Sequence, residues 1–247
     1  MIPDMVADVG NTRVKWGLGQ AFHTFRNYSL PPDPVVWEET RAAMSPERFR
    51  WVVASVQPAR AEKFLEWLKG RGDEAILLRH EHLTLKTNVH APDRVGIDRL
   101  LNAVAAIDVL EPRQSAILVD AGSAVTVDYL DEAHVFQGGT IFPGLDLMAK
   151  ALHDHTALLP LVEMRRGPLL MPPGKTTEEA IRAGILSAVA GGIVEIIKTY
   201  RSNASADAKL FATGGQSPLL AGVLGWDKEP WPEMTLHGIL VAARGLP

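Results

Sequence analysis

The chain contains no cysteine. That absence excludes disulfides, zinc–thiolate centres and cysteine nucleophiles together, and it suits a reducing compartment. Positive charge is not in excess either: 25 Lys and Arg stand against 29 Asp and Glu, for a net charge of −4 and a pI near 6.1. Without a basic patch or a Lys/Arg run, neither nucleic acid nor a membrane surface is expected as a partner. No apolar run in the sequence approaches the roughly 20 residues that a bilayer crossing needs. The first residues carry Asp4 and Asp8 and no positively charged stretch, which is unlike a secretory leader. These absences together lead to the expectation of a soluble, cytoplasmic protein.

What is present is an ordinary globular balance, 47% hydrophobic and 22% charged over 247 residues. The opening Met5 to Gly17 reads as a strand, a tight turn at Gly10-Asn11 and a second strand. Pro31 to Pro34 reads as a loop. Arg50 to Val56 reads as a buried strand, Ala61 to Lys69 as a helix closed by Gly70, and Ala75 to Leu78 as a strand. A helix is predicted over Asp98 to Leu110, with Leu100, Ala103, Val104 and Ile107 on one stripe.

The pattern then restarts. Ser115 to Asp120 and Val125 to Leu130 read as strands around Ala121-Gly122-Ser123-Ala124, and Val135 to Ile141 reads as a third. Helices are predicted over Leu145 to Leu159, over Thr176 to Tyr200 with a Thr176-x-x-Glu179 capping box, and over Ile239 to Arg244. Leu210 to Thr213 reads as a strand entering the Gly214-Gly215 turn. The distance between Asp8 and Asp120 is too long for a solenoid repeat and suits a duplicated domain of roughly 110 residues. The sequence therefore predicts an α/β protein of two halves, 1–115 and 116–247, packed closely with a cleft between them.

Each half opens with an Asp-x-Gly hairpin. In Asp8-Val9-Gly10-Asn11-Thr12, glycine permits close backbone approach to a ligand, and successive N–H groups can cradle phosphate oxygens. Asp8 can hold Mg²⁺ through water, and Lys15 can neutralise a phosphate. A plain hairpin with turn-forming Asp and Asn explains one copy equally well. The second copy, Asp120-Ala121-Gly122-Ser123-Ala124, makes that explanation much weaker, because a triphosphate needs to be held from two sides. Ser123 can donate to a phosphate and Asp120 can bind a cation. Gly96-Ile97-Asp98-Arg99 opens a predicted helix. Asp98 could accept the proton of an attacking hydroxyl, and Arg99 could grip a carboxylate or phosphate. The competing explanation is a helix N-cap followed by a solvated arginine. Thr213-Gly214-Gly215 and the glycine-dense Gly138 to Gly144 suit a ligand-lining role or simple turns. His153-x-His155 has too few companions for a metal site, and the six tryptophans read as core or interface residues.

These motifs, in this order and spacing, resemble those of the type III pantothenate kinases. The resemblance rests on Asp8 to Thr12, on Pro92 to Arg99, on Asp120 to Thr126, and on Gly138 to Gly144 followed by Ala151-Leu152 and Thr156-Ala157-x-Leu159-Pro160. It also covers Thr177 at the start of the long helix. It implies two tandem ribonuclease-H-like domains of the actin-like ATPase kind, with mixed sheets flanked by helices. It implies phosphorylation of pantothenate from Mg-ATP in coenzyme A synthesis, by a homodimer with the pantothenate site at its interface. By the same resemblance Asp98 is the general base. Asp8, Val9, Gly10, Asn11, Thr12, Arg13, Val14, Lys15 and Ser123 hold ATP. Gly96, Ile97, Arg99, Thr177 and the position of Val89 hold pantothenate, and Asp120 holds a monovalent cation, K⁺ or NH₄⁺. Two positions depart from the family pattern. Val89 stands where a tyrosine is usual, which removes an aromatic contact to pantothenate. Ser123 replaces threonine and keeps the hydroxyl. A nucleotide-binding accessory protein and a kinase of another small hydroxylated acid or sugar are the alternatives at this point.

Overall fold

In the computed structural model, which describes residues 3–18, 27–44, 47–164, 172–226 and 229–246, the strands form two separate mixed sheets. The chain runs β1 (Met5–Val9), β2 (Val14–Leu18), β3 (Asn27–Leu30), α1 (Pro34–Ala42), β4 (Arg50–Ser55), α2 (Pro58–Gly70), β5 (Glu74–Leu77) and α3 (Ile97–Val109). It continues through β6 (Ala116–Ala121), β7 (Ala124–Leu130), β8 (Phe136–Pro143), α4 (Leu145–Asp154), α5 (Thr177–Asn203), β9 (Lys209–Thr213), α6 (Ser217–Leu224) and α7 (Met234–Ala243).

The first compact unit holds the sheet β3-β2-β1-β4-β5. β1 pairs antiparallel with β2 and parallel with β4. Alternation along β1 sends Met5, Ala7 and Val9 to one face and Val6 and Asp8 to the other. The first face buries Trp16, Trp37, Trp51, Phe64 and Leu68 under α1 and α2. Trp16 stacks on Trp67 and meets Trp51 edge-on, so four of the six tryptophans gather in one aromatic cluster. The second face packs Val6, Val52 and Ala54 against Ile97 and Leu101 of α3 and Leu236, Ile239 and Leu240 of α7.

The second unit holds the sheet β8-β7-β6-β9, with β6 antiparallel to β7 and parallel to β9. One face buries Ile117, Val119, Val125 and Val127 against Leu145, Ile181, Ile185, Val189 and Ile193. Helix α5 is long and apolar enough to cross a membrane by length and composition, which corrects the expectation of no such stretch. Its apolar residues Ile181, Ile185, Val189, Ile193 and Ile197 instead fill this core.

The units do not follow the division at residue 115 throughout. Glu233–Pro247 and His134–Phe136 belong with the first unit, the second comprising Arg113–Ala133 and Gln137–Pro232. Burial drives this: α7 is apolar nearly all round and covers the sheet face that α3 alone leaves open. Within that packing Thr235 donates to Asn102, and His237 meets Asp108 at 2.9 Å. The helix predicted to reach Leu159 stops at Asp154. The Thr156 hydroxyl takes the Leu152 carbonyl oxygen (2.7 Å), substituting for a backbone bond, and Pro160 cannot continue a helix. The Pro31 to Pro34 loop leads into α1, where Asp33 caps the Val35 amide and Pro34 occupies the first turn.

Candidate active site

The first Asp-x-Gly hairpin is the β1–β2 turn. Asp8 pairs across the ladder with Lys15, so both side chains share the sheet face that α3 covers. The turn closes through Gly10 N–H to Arg13 carbonyl (3.0 Å), leaving Asn11, Thr12 and Arg13 exposed at its tip, with Val9 and Val14 buried behind them. Polar side chains hold it in place. Ser55 Oγ donates to Val9 carbonyl (2.8 Å), Arg60 Nη1 to Gly10 carbonyl (2.6 Å), and Arg13 Nη1 to Ser29 carbonyl (3.0 Å). Gln57 caps α2 by accepting from the Arg60 amide (2.8 Å), which fixes the helix that carries Arg60. Gly10 does not adopt a left-handed backbone, and a Cβ there would lie 3.3 Å from the Arg13 carbonyl oxygen.

Asp98 lies at the same end of the same sheet. Val9 is level with Ser55 in the parallel ladder, Val56 follows, and a Cβ on Gly96 would lie 3.8 Å from Val56. Gly96 is the N-cap of α3, so Asp98 is not itself the cap but the second helical residue. Its Oδ1 accepts from the Arg99 amide (2.9 Å). The same oxygen occupies space that a Cβ on Gly96 would enter, at 2.5 Å, so Gly96 keeps room for the carboxylate. His80 Nε2 donates to Val95 carbonyl (2.7 Å) and pins the entry to the helix. Burial pushes the Asp98 carboxyl above its ordinary range, while the Arg99 amide and charge pull it down without overcoming burial. A carboxyl raised in this way is a better proton acceptor than a solvated one. The Arg99 guanidinium lies 5.7 Å from the Phe136 ring centre. Val89 is half-buried in the segment just after Asn88, whose amide donates to the Phe136 carbonyl (2.8 Å).

In the second unit, the β6–β7 hairpin closes more tightly, through Gly122 N–H to Ala124 carbonyl (3.0 Å). Ser123 is exposed at its tip. Backbone rather than side chain crowds against it. Gly144 N–H donates to Ser123 carbonyl (2.9 Å), and a Cβ on Gly144 would overlap the Gly122 carbonyl oxygen. Gly214 sits at φ +91°, where a Cβ would lie 2.5 Å from the Ala121 backbone and from Asp120 Oδ1. Gln216, 2% exposed and missed in the sequence, ties these parts together. Its amide donates to Ala121 carbonyl (2.9 Å), its Oε1 accepts from Leu145 N–H (3.1 Å), and its Nε2 donates to Asp146 (3.0 Å). It caps α4, whose N-cap Gly144 has no side chain to do so. Its position directly after two glycines was the available signal.

Asp120 is flanked in register by Thr126 on β7 and Thr213 on β9, which puts all three side chains on one sheet face. Both threonine hydroxyl oxygens are buried without a hydrogen-bond partner. One carboxylate beside two neutral oxygens fits a singly charged cation in charge and donor type. Groups of three or more His, Asp or Glu suited to a divalent ion do not occur among the described residues. Thr177, exposed, is the first residue of α5 after the capping Thr176, whose capping box with Glu179 is formed. The structure thus groups Asp8, Lys15, Asp98 and Arg99 within the first unit, and Asp120, Ser123 and Thr177 within the second.

A sequence profile for the type III pantothenate kinases matches residues 5–199. Among curated relatives, the type III pantothenate kinase of Rhodopirellula baltica is 37% identical over 180 residues, 70% of this chain and 63% of that protein. That of Flavobacterium johnsoniae is 32% identical over 222 residues, 88% of this chain and 87% of that protein. Among solved structures, the activator of 2-hydroxyisocaproyl-CoA dehydratase from Clostridium difficile, with bound ADPNP, superimposes with a TM-score of 0.51. It has 16% identity over 98% of this chain and 92% of that one, a likeness of fold, the actin-like ATPase fold.

Proposed function

This chain belongs to the type III pantothenate kinase family, and we propose that it transfers the γ-phosphoryl group of ATP to the primary hydroxyl of pantothenate with Asp98 as general base. The observation that carries the reading is the Asp98 carboxylate: desolvated, given room by Gly96, and at the same sheet end and face as the Asp8 hairpin. Asp98 accepts the hydroxyl proton as that oxygen bonds to the γ-phosphorus and the bond to the ADP oxygen breaks. Lys15 and the amides of the Gly10 to Arg13 turn meet negative charge on the phosphates, and the Ser123 hydroxyl donates to them. Arg99 and Thr177 orient pantothenate. Positioning and electrostatics do most of the work in such a transfer.

Asp8 would hold the Mg²⁺ that accompanies ATP, an ion that neutralises phosphate charge when bound. Asp120 with Thr126 and Thr213 would hold a monovalent cation, K⁺ or NH₄⁺; the two orphaned hydroxyls support this. A homodimer is the corresponding assembly. Its support is a stripe on α5 that is exposed among the described residues, Ala180, Gly184, Ser187, Gly191 and Val194 at helical spacing, together with the exposed apolar Ile141 and Leu147. A cytoplasmic location accompanies this substrate pair.

The test is coupled ADP release from purified protein with Mg-ATP, with and without pantothenate, in potassium and then sodium buffer. Pantothenate-dependent release enhanced by potassium is expected. Release that ignores pantothenate would overturn the acceptor, and equal rates in both buffers would overturn the cation at Asp120.

A further inference from the structure

We propose that Phe136 is a positioning residue for pantothenate, holding two parts of its site from beneath without touching it. The inference rests on the pantothenate reading above. Phe136 is fully buried, and its ring lies under the Arg99 guanidinium at 5.7 Å. Its backbone does a second job: its N–H donates to Lys86 carbonyl (2.9 Å) and its carbonyl accepts from Asn88 N–H (2.8 Å). These two bonds make an isolated parallel bridge at Thr87, two residues before Val89. One residue therefore anchors both the cation that meets the substrate carboxylate and the segment that ends at Val89.

The chain on both sides of His134–Phe136 belongs to the second unit, yet these three residues pack with the first. A β7–β8 turn needs no such excursion to close, and the contacts it makes include Lys86, Asn88 and Arg99. An arginine side chain has several free torsions, and ordering it on binding weakens affinity. An aromatic face within about 6 Å of the guanidinium draws it to one place beforehand. That effect belongs to the binding of pantothenate and leaves ATP binding and the chemical step alone.

The experiment compares wild type, Phe136→Leu, and protein carrying a trifluorinated phenylalanine at position 136, which keeps the ring's shape and weakens its negative face. Kinetics are measured with each substrate varied in turn. The KM for pantothenate should rise about three- to tenfold in both altered proteins, with kcat and the KM for ATP within about twofold. A KM for pantothenate that does not move in the fluorinated protein overturns the inference, whatever Phe136→Leu does to stability. A wild type that does not turn over pantothenate would remove the parent reading and this one together; wild-type turnover with an unmoved KM removes this one alone.

Discussion

The two Asp-x-Gly hairpins share a motif and differ in what holds them. The first is gripped by side chains, with Ser55 on Val9 carbonyl and Arg60 on Gly10 carbonyl. The second is wedged by backbone, with Gly144 and Gly214 pressed against Gly122, Ala121 and Asp120, and Gln216 binding the pieces. A turn held by side chains can lose one and shift slightly. A turn held by glycines has no room for a methyl group on the glycines themselves. The same Asp-x-Gly turn therefore rests on two foundations with different tolerance to mutation.

The proposed base, Asp98, lies outside both hairpins, so the largest effect should too. Asp98→Asn is expected to lower kcat by about 10²- to 10⁴-fold. Stability should move the other way. Burial raises the folded-state pKa of Asp98, so its ionised form is disfavoured in the folded protein. That cost is absent below the ordinary carboxylate range and fully present above the raised value. The asparagine variant should therefore gain on wild type in thermal stability as pH rises through that window. Activity of wild type should fall as pH drops through the same raised value, because the base is then protonated. An acidic limb at the ordinary carboxylate pKa, with no stability gain in the variant, would remove Asp98 from the base role.

The comparison itself is broken or kept by paired glycine substitutions. Gly214→Ala places a side chain at φ +91° against the Ala121 backbone, where nothing flexible can give way. It should cost about 2–4 kcal/mol in denaturant unfolding. Gly10→Ala meets the Arg13 carbonyl at 3.3 Å from an ordinary backbone conformation and should cost under about 1 kcal/mol. Equal costs would mean that the two turns are held alike. Arg60→Ala comes next in size. It frees the Gly10 carbonyl from a 2.6 Å charge-assisted bond, and the KM for ATP should rise about fivefold with global stability little changed.

The unequal foundations also explain what could be read from the sequence. Both hairpins were legible because strand alternation and Asp-x-Gly are local signals, and so was α5, whose Thr176–Glu179 box lies within four residues. The grip of Arg60 on Gly10 spans 50 residues, and that of Gln216 on Leu145 spans 71, with no local pattern to announce either. The return of α7 to the first unit was hidden for the same reason. An all-round apolar helix shows that it will be buried but not against which sheet. Phe136 read as one residue of the strand expected over Val135 to Ile141; its closeness to Arg99 is a product of topology. Asp98 was legible as a carboxylate at a helix start, whereas its burial and the room left by Gly96 needed the fold.

The smallest effect should come from Ser123→Thr, and it is the sharpest check on how the second hairpin is held. Ser123 is exposed, so the added methyl group has open space, and the hydroxyl is retained. The position of that hydroxyl depends on the backbone, which Gly144 N–H fixes through the Ser123 carbonyl. A turn wedged by glycine backbone should ignore the extra methyl, leaving the KM for ATP within about twofold, while Ser123→Ala should raise it about fivefold by removing one donor to phosphate. A tenfold change on Ser123→Thr would mean that side-chain packing at the tip helps to set the loop. The second hairpin would then resemble the first in kind, and the contrast drawn from Gly144 and Gly214 would fail.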